Sequence, residues 1–388
     1  MSPPAIVAGL DLNGLGVARS LAAGGVSVIA IDSNIDKPTC STRCARVIKV
    51  PALSGDAFVK ALLGLRRDHA ESPVLILTQE ASVSTVSAAR NELAEAFRFS
   101  MPDDSVMRKL LDKLAFQDCA EQHGFLIPRA VRVSAEDAGG ALAELRFPCI
   151  LKPAFRDHAY SLRFAKAYRI ASPSEALSMW QRMREVMPAL IVQEWIDGDD
   201  SDVYFCLQYR PRGNRLATSF VGRKLRQWPR QVGGTASCLP APEAAQELIE
   251  TTDRFFDAVG FVGFCSMEYK RDHRDGRFYM VEPTVGRTDH QEEIATLNGV
   301  NIPLAAYCGE LGQSAPAFDS RSACGWRDPF ADMLARAAGG NEIPPALPLR
   351  DAYWRLADPL PFLALKLHGA RSRLSRLARR FSGSVGHE

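Results

Sequence analysis

The regular alternation of short apolar runs with helical stretches over the first hundred residues constrains this chain more than any other feature. Ala5–Gly9 is an apolar run that feeds a glycine-rich turn and a helical stretch at Leu15–Ala23. Val26–Ile31 is a second buried strand, ending at Asp32. Val47–Val50 and Pro73–Leu77 add strands, and Asp56–Arg67 and Val83–Phe97 add helices. Strands alternating with helices in this way predict an α/β unit with a parallel, doubly wound sheet.

The pattern then changes. Asp104–Gly124 is helical, closed by Gly124 and Pro128, and Ser134–Leu145 is a helix opened by Ser134. Strands are expected at Val131–Val133, Cys149–Lys152, Tyr168–Ala171 and Leu190–Trp195, with a helix from Ser172 to Met187. From Asp202 to Cys238 the chain reads as antiparallel strands. Gly263–Lys270 and Arg277–Glu282 read as a hairpin about Asp272–Gly276, which makes this part α+β. After about residue 312 Pro and Gly become frequent, and a less regular extension is expected. The boundaries fall at 1–103, 104–190, 191–312 and 313–388.

Some function classes are disfavoured. A formal net charge of +2 offers no chain-wide attraction to nucleic acid. No CxxC pair exists, and Cys40 and Cys44 are not followed by a histidine pair at zinc spacing. The start, MSPPAIVAGLD, lacks the basic region of a signal peptide. The uncharged run from Ser20 to Ile31 is shorter than the ~20 residues that span a bilayer. A cytoplasmic protein is expected, at most peripheral at a membrane. The candidate for such contact is 360–381. There Leu363, Leu367, Ala370, Leu374, Leu377 and Phe381 share a helical face, and Lys366, Arg371, Arg373, Arg376, Arg379 and Arg380 crowd the rest. A basic amphipathic helix of this kind suits an anionic membrane, a partner, or its own domain.

Six constellations carry possible chemistry. The turn Gly9–Gly16 can present backbone N–H groups to an anion, or simply let strand and helix pack closely. Asp112-Lys113 reads alone as a solvated pair within a helix. Lys152, at the end of the apolar strand FPCILKP, is costly to bury unless it meets an anion such as a nucleotide phosphate. Gln193–Asp200 is a strand running into an acid-rich turn, whose backbone suits an adenine edge and whose Asp200 suits ribose hydroxyls. Arg223, Lys224 and Arg226 are dense enough for phosphate or carboxylate recognition, or form a solvated basic face. Glu268 and Glu282 lie on apolar strands. If they face one cavity they repel unless a cation lies between them, and oxygen ligands suit Mg²⁺.

In this order the constellations resemble the ATP-grasp superfamily over roughly Ala5 to Gly312, and are most similar to carboxylate–amine ligases of the D-aspartate-ligase and carbamoyl-phosphate-synthase-like kind. The resemblance implies an ATP-grasp fold. A pre-ATP-grasp domain would span 1–103, a lid-bearing central subdomain 104–190 and a C-terminal subdomain 191–312. It implies ATP and Mg²⁺ (or Mn²⁺) as cofactors and small carboxylate and amine substrates, joined through an acyl phosphate. A homodimer is an assembly common among such proteins. By resemblance Lys113 contacts ATP phosphate, Lys152 contacts the α-phosphate and adenine, Gln193, Glu194, Trp195 and Ile196 hold adenine, and Asp200, or Asp202, holds ribose. Lys224 lies near the γ-phosphate, Glu268, Glu282 and Thr284 ligate the metal, and Arg287 steadies the reacting acyl phosphate. Three departures stand out. The stretch Ala154–Tyr160 has no glycine, so Arg156, His158 or Lys166 would substitute in the lid. The metal motif reads Glu282-Pro283-Thr284, and Arg287 falls one residue later than the usual spacing. A weakly active or non-catalytic nucleotide-binding protein, and a ligase with a thiol or hydroxyl acceptor, are the alternatives.

Overall fold

The computed structural model describes residues 2–134, 141–154, 158–165, 167–213, 217–317, 323–339 and 346–369. Its strands are β1 (Ala5–Ala8), β2 (Val28–Asp32), β3 (Arg46–Lys49), β4 (Val74–Leu77), β5 (Ala130–Val133), β6 (Cys149–Pro153), β7 (Tyr168–Ile170), β8 (Leu190–Glu194), β9 (Val203–Arg210), β10 (Thr218–Trp228), β11 (Gly234–Pro240), β12 (Gly263–Arg271), β13 (Phe278–Val285), β14 (Gly325–Arg327) and β15 (Leu349–Asp351).

The expected parallel sheet is present, in the order β3-β2-β1-β4. All four residues of β1 are fully buried, because both faces are covered. Ile6 and Ala8 belong to one core with Phe255 and Met267, whereas Ala5 and Val7 belong to another with Leu207 and Trp326. Strand order reverses between β1 and β4. Their carboxyl ends therefore open a crevice at a topological switch point, where α/β sheets bind ligands.

The glycine-rich turn serves packing. A Cβ on Gly14 would lie 1.9 Å from Gly9 O, and one on Gly16 would lie 2.8 Å from Glu293 Cβ. The Leu10 amide already donates to Asp32 Oδ2 at 2.7 Å, so this turn does not offer the open anion cradle considered from its sequence.

A second sheet, β5-β8-β6-β7, is antiparallel and has its own core around Leu151, Trp180, Met183 and Val192. Strand β8 stays in this sheet, so the central unit continues to Glu194, past the expected boundary at 190. Of the expected Ser134–Leu145 helix, residues 135–140 lie outside those described, and Ala141–Glu144 forms one 3₁₀ turn.

The third sheet, β13-β12-β9-β10-β11-β14-β15, corrects the reading of the extension as irregular. β14 pairs antiparallel with β11, and β15 runs parallel to β14. The helix Pro329–Ala337 between them packs on β10 and β11. Its Asp332 accepts from Arg226 Nε at 2.6 Å and from Ser237 Oγ at 2.7 Å, all buried. Further on, Asp358 accepts from Arg19 Nε at 2.9 Å and Thr42 Oγ1 at 2.7 Å, which ties the extension to the first sheet. The chain is helical from 360 to 369, with Leu360, Leu363 and Leu367 exposed. The remainder of the expected 360–381 helix lies outside the described residues. No helix among the described residues is long and apolar enough to cross a membrane.

Candidate active site

The second and third sheets wall a cavity of about 250 Å³. Among its walls are Lys113, Lys152, Gln193–Ile196, Lys224, Glu268, Glu282, Thr284 and Arg287. Lys113 and Arg287, 174 positions apart in sequence, are thus brought to one space.

The floor comes from the β12–β13 hairpin. Glu268 and Glu282 are direct cross-strand partners, and Ser266 faces Thr284 one pleat further on. Opposed carboxylates at this spacing call for a cation. One is already there: Lys224 Nζ lies 2.6 Å from Glu268 Oε2. Its three-proton head also donates to Gln227 Oε1 at 3.2 Å. The register of β10 against β11 is irregular on both sides of Arg226. The bulge explains why Lys224 faces the cavity whereas Arg226 meets Asp332. The dense basic segment thus divides: Lys224 serves the site, Arg226 the scaffold. Arg223 lies across the strand, 4.0 Å from Glu243.

The roof comes from the second sheet. Lys152 Nζ donates to Gln193 Oε1 at 2.9 Å, and Gln193 Nε2 is anchored on Pro128 O and Gln117 Oε1. Asp112 is not within a helix. It ends Asp104–Leu111 and caps Lys113–Gln122, accepting from Leu114 N and Ala115 N. This break places Lys113 at a helix start, with Nζ 3.4 Å from Pro153 O.

In the linker, Glu194 N donates to Arg129 O and Trp195 N to Pro148 O. The Glu194 carboxylate accepts from Arg146 N at 2.9 Å. The Trp195 ring lies between Arg169, 5.2 Å away, and Lys270 Nζ, 4.9 Å away. Burial lowers the Lys270 pKa below the ordinary lysine value, against the pull of Asp202, Asp200, Asp197 and Asp199. Lys270 lines the cavity and was not singled out from the sequence. Its place two residues after Glu268 on one strand was the available signal.

Asp200 does not line the cavity. It is buried, and its carboxylate accepts from Gln227 N at 3.1 Å, Gln227 Nε2 at 3.2 Å and Gln231 N at 2.8 Å. Through these bonds Asp200, expected at a ribose, positions the β10–β11 turn. Asp202 accepts from Asp199 N at 2.7 Å and pairs with His273 Nε2 at 2.7 Å.

Arg287 sits on the loop after β13, where its Nη1 donates to Thr288 O at 3.0 Å. That loop is fixed to the switch point. Asn13 Nδ2 donates to Thr78 O and Thr288 O, Thr288 Oγ1 returns a bond to Asn13 Oδ1 at 2.8 Å, and Thr288 N donates to Leu77 O. Next in the loop, Asp289 accepts from Ser266 Oγ, Gln291 Nε2 and its neighbour's amide, His290 N. Glu292, behind the loop, is pushed up to about 8 by burial. Of the expected lid, residues 155–157 and 166 lie outside those described, and His158–Arg163 is a short helix.

Among the described residues no cluster of three Asp, Glu, His or Cys side chains is set to hold a metal. The donor set is two opposed carboxylates and the Thr284 hydroxyl, all oxygen. It suits Mg²⁺ with water or phosphate completing the shell, and the Lys224 ammonium shows that a cation is accommodated there.

No family model matches the chain. It is 26% identical over 312 residues to the D-aspartate ligase of Enterococcus faecium (strain Aus0004), covering 76% of this chain and 74% of that enzyme. It is 27% identical over 190 residues to the D-alanine–D-alanine ligase of Pseudomonas entomophila (strain L48), covering 46% of this chain and about half of that enzyme, 56%. Among solved structures, N5-carboxyaminoimidazole synthetase from Staphylococcus aureus superposes with a TM-score of 0.62 at 17% identity, covering 81% of this chain and 79% of that one. The biotin carboxylase domain of Hydrogenobacter thermophilus 2-oxoglutarate carboxylase, in complex with MgADP and bicarbonate, gives 0.61 at 13% identity, covering 80% and 70%.

Proposed function

We propose that this chain, which is an ATP-grasp carboxylate–amine ligase, activates a small carboxylate as an acyl phosphate, releases ADP, and passes the acyl group to an amine. The observation that carries this reading is one cavity in which Lys113, Lys152, Lys224 and Arg287 surround the opposed pair Glu268 and Glu282. Such a set manages triphosphate and metal charge together. The relationship to an enzyme named D-aspartate ligase supports the class of product.

Mg-ATP, when bound, supplies a transferable phosphoryl group whose charge must be spread and held in line. Lys152 is kept extended by Gln193, and Lys113 is placed at a helix start beside it. Both serve the phosphates from the roof. Lys224 serves them from the floor, where Glu268, Glu282 and Thr284 would hold the metal. The amides of Glu194 and Trp195 are spent on the sheet, so adenine hydrogen bonds fall to the later part of Gln193–Ile196. Arg287 is the cation for the oxyanion that develops at the acyl carbon. The walls supplied by the second and third sheets limit the access of water to the activated acyl group. The exposed Leu360, Leu363 and Leu367, with the arginine-rich sequence beyond, support contact with an anionic membrane surface, tested by vesicle flotation with and without residues 360–388.

The first test is incubation with Mg-ATP, pooled amino acids and small carboxylates, with ADP and AMP separated by chromatography. Substrate-dependent ADP that disappears in Glu282→Ala is expected. AMP would sink the mechanism. Tight nucleotide binding with neither product would favour the non-catalytic alternative, in which Lys224 fills the cation position permanently.

A further inference from the structure

The geometry points to His290 as the general base that takes a proton from the acceptor amine, an inference that rests on the ligase reading. An amine acceptor is an ammonium ion at neutral pH and has two protons to lose. In the balanced step R–CO–OPO₃²⁻ + R′NH₃⁺ → R–CO–NHR′ + HPO₄²⁻ + H⁺, the C–N bond forms and the acyl C–O bond breaks. One proton leaves on the phosphate. The other needs an acceptor in the cavity wall.

The wall offers few. Lysine and arginine side chains are donors only while charged. Glu268 is paired with Lys224 and opposed across the strands by Glu282, Asp289 is occupied by Ser266, Gln291 and the His290 amide, Glu194 accepts from the Arg146 amide, and Glu80 is engaged elsewhere. Lys270 belongs to the opposite end, over Trp195. His290 is the one imidazole among the described residues lining the cavity. It lies three positions from Arg287 on the same loop. That loop is bonded to the switch-point crevice through Asn13 and Thr288, which is where an acceptor would approach.

The surroundings suit a proton acceptor. The imidazole stands edge-on to the Trp326 ring, centroids 5.3 Å apart at 89°, which fixes its plane. Its Nε2 lies 4.0 Å from Asp328 Oδ2 at the start of the helix Pro329–Ala337. That is within reach through one water, so an imidazolium would be stabilised and its proton passed outward. The other charged or titratable groups facing it are Arg287 and Asp289 on its own loop, and Asp11, which precedes the helix Leu12–Ala23. Trp326 Nε1 donates to Glu293, which pairs with Arg355, and Tyr353 lies near Asp328 and Asp11. Desolvation in the crevice holds the imidazole, whose side chain is 40% exposed, below its ordinary value, with Asp328, Asp289 and Asp11 opposing. It is therefore neutral, and able to accept, at pH 7.

The test compares wild type with His290→Gln, using Mg-ATP and pooled carboxylates, and either pooled amino acids or hydroxylamine as acceptor. Hydroxylamine is already uncharged at neutral pH and needs no base. Loss of a general base costs about 10²–10⁴-fold. Amide formation by the variant should fall by that factor at pH 7, with hydroxamate formation within about threefold of wild type. The variant's amide rate should keep rising with pH where wild type has levelled, and imidazole should restore part of the rate to His290→Ala. Equal loss of hydroxamate and amide, or an unchanged amide rate, overturns the base and leaves the ligase reading standing. A wild-type chain that yields no hydroxamate from any carboxylate overturns the ligase reading and the base with it.

Discussion

Lys224 reaches across β9 to place its Nζ 2.6 Å from Glu268 Oε2, so a buried lysine occupies the position where two opposed glutamates demand a cation. The protein carries its own counter-ion, and a metal held there would share the carboxylates with it.

Replacing that lysine separates its two roles. Lys224→Met should lower the rate of ADP formation by about 10²–10³-fold, the usual cost of removing one preorganised donor from developing charge. The same change should tighten Mn²⁺ binding to the nucleotide-free protein, because Glu268 loses its competitor. Electron paramagnetic resonance of free Mn²⁺ measures this. Unchanged Mn²⁺ affinity would show that the carboxylates do not form the metal site.

Arg226 and Asp332 are expected to act on stability. Both are buried and 2.6 Å apart. Removing one partner strands the other, at a cost of about 3–5 kcal/mol. Arg226→Met should therefore lower the urea midpoint markedly, whereas Arg226→Met combined with Asp332→Leu should recover most of the loss. A single variant as stable as wild type would mean that water reaches the pair.

Glu292 gives a pH prediction. Its folded-state value of about 8 is above that of an unfolded glutamate. The native state holds the proton that the unfolded chain has released, so stability should fall as pH rises from about 4.5 to about 8, by at most about 1.4 kcal/mol per unit. Glu292→Gln should flatten that slope. Chemical denaturation at pH 5.5, 7 and 8.5 checks the sign, and a variant with the wild-type slope would remove Glu292 as the cause.

The parallel sheet was legible because period and spacing are local properties: β1, β2 and β4 are apolar runs set off by proline or glycine. The hairpin carrying Glu268 and Glu282 was legible for the same reason, with Gly276 in its turn. What escaped depends on partners far along the chain. Arg226 looks like a phosphate ligand until Asp332, 106 residues later, is seen beside it. Asp200 has the right chemistry for ribose, but Gln227 and Gln231 claim it. The extension looked irregular because β14 and β15 are three residues each, too short to show a period, and they exist by pairing with β11 and each other. The helix break at Asp112 was local and readable, since an aspartate before a helical run is a cap.

The reciprocal bonds between Asn13 and Thr288 join positions 275 residues apart. They make the loop bearing Arg287 and His290 a rib of the first sheet. For protein engineering, the first hundred residues are therefore not an interchangeable module. A graft that brings in a different acceptor-binding domain must carry Asn13 and the Leu77–Thr78 carbonyls with it, or the incoming domain will displace the groups meant to act on its ligand.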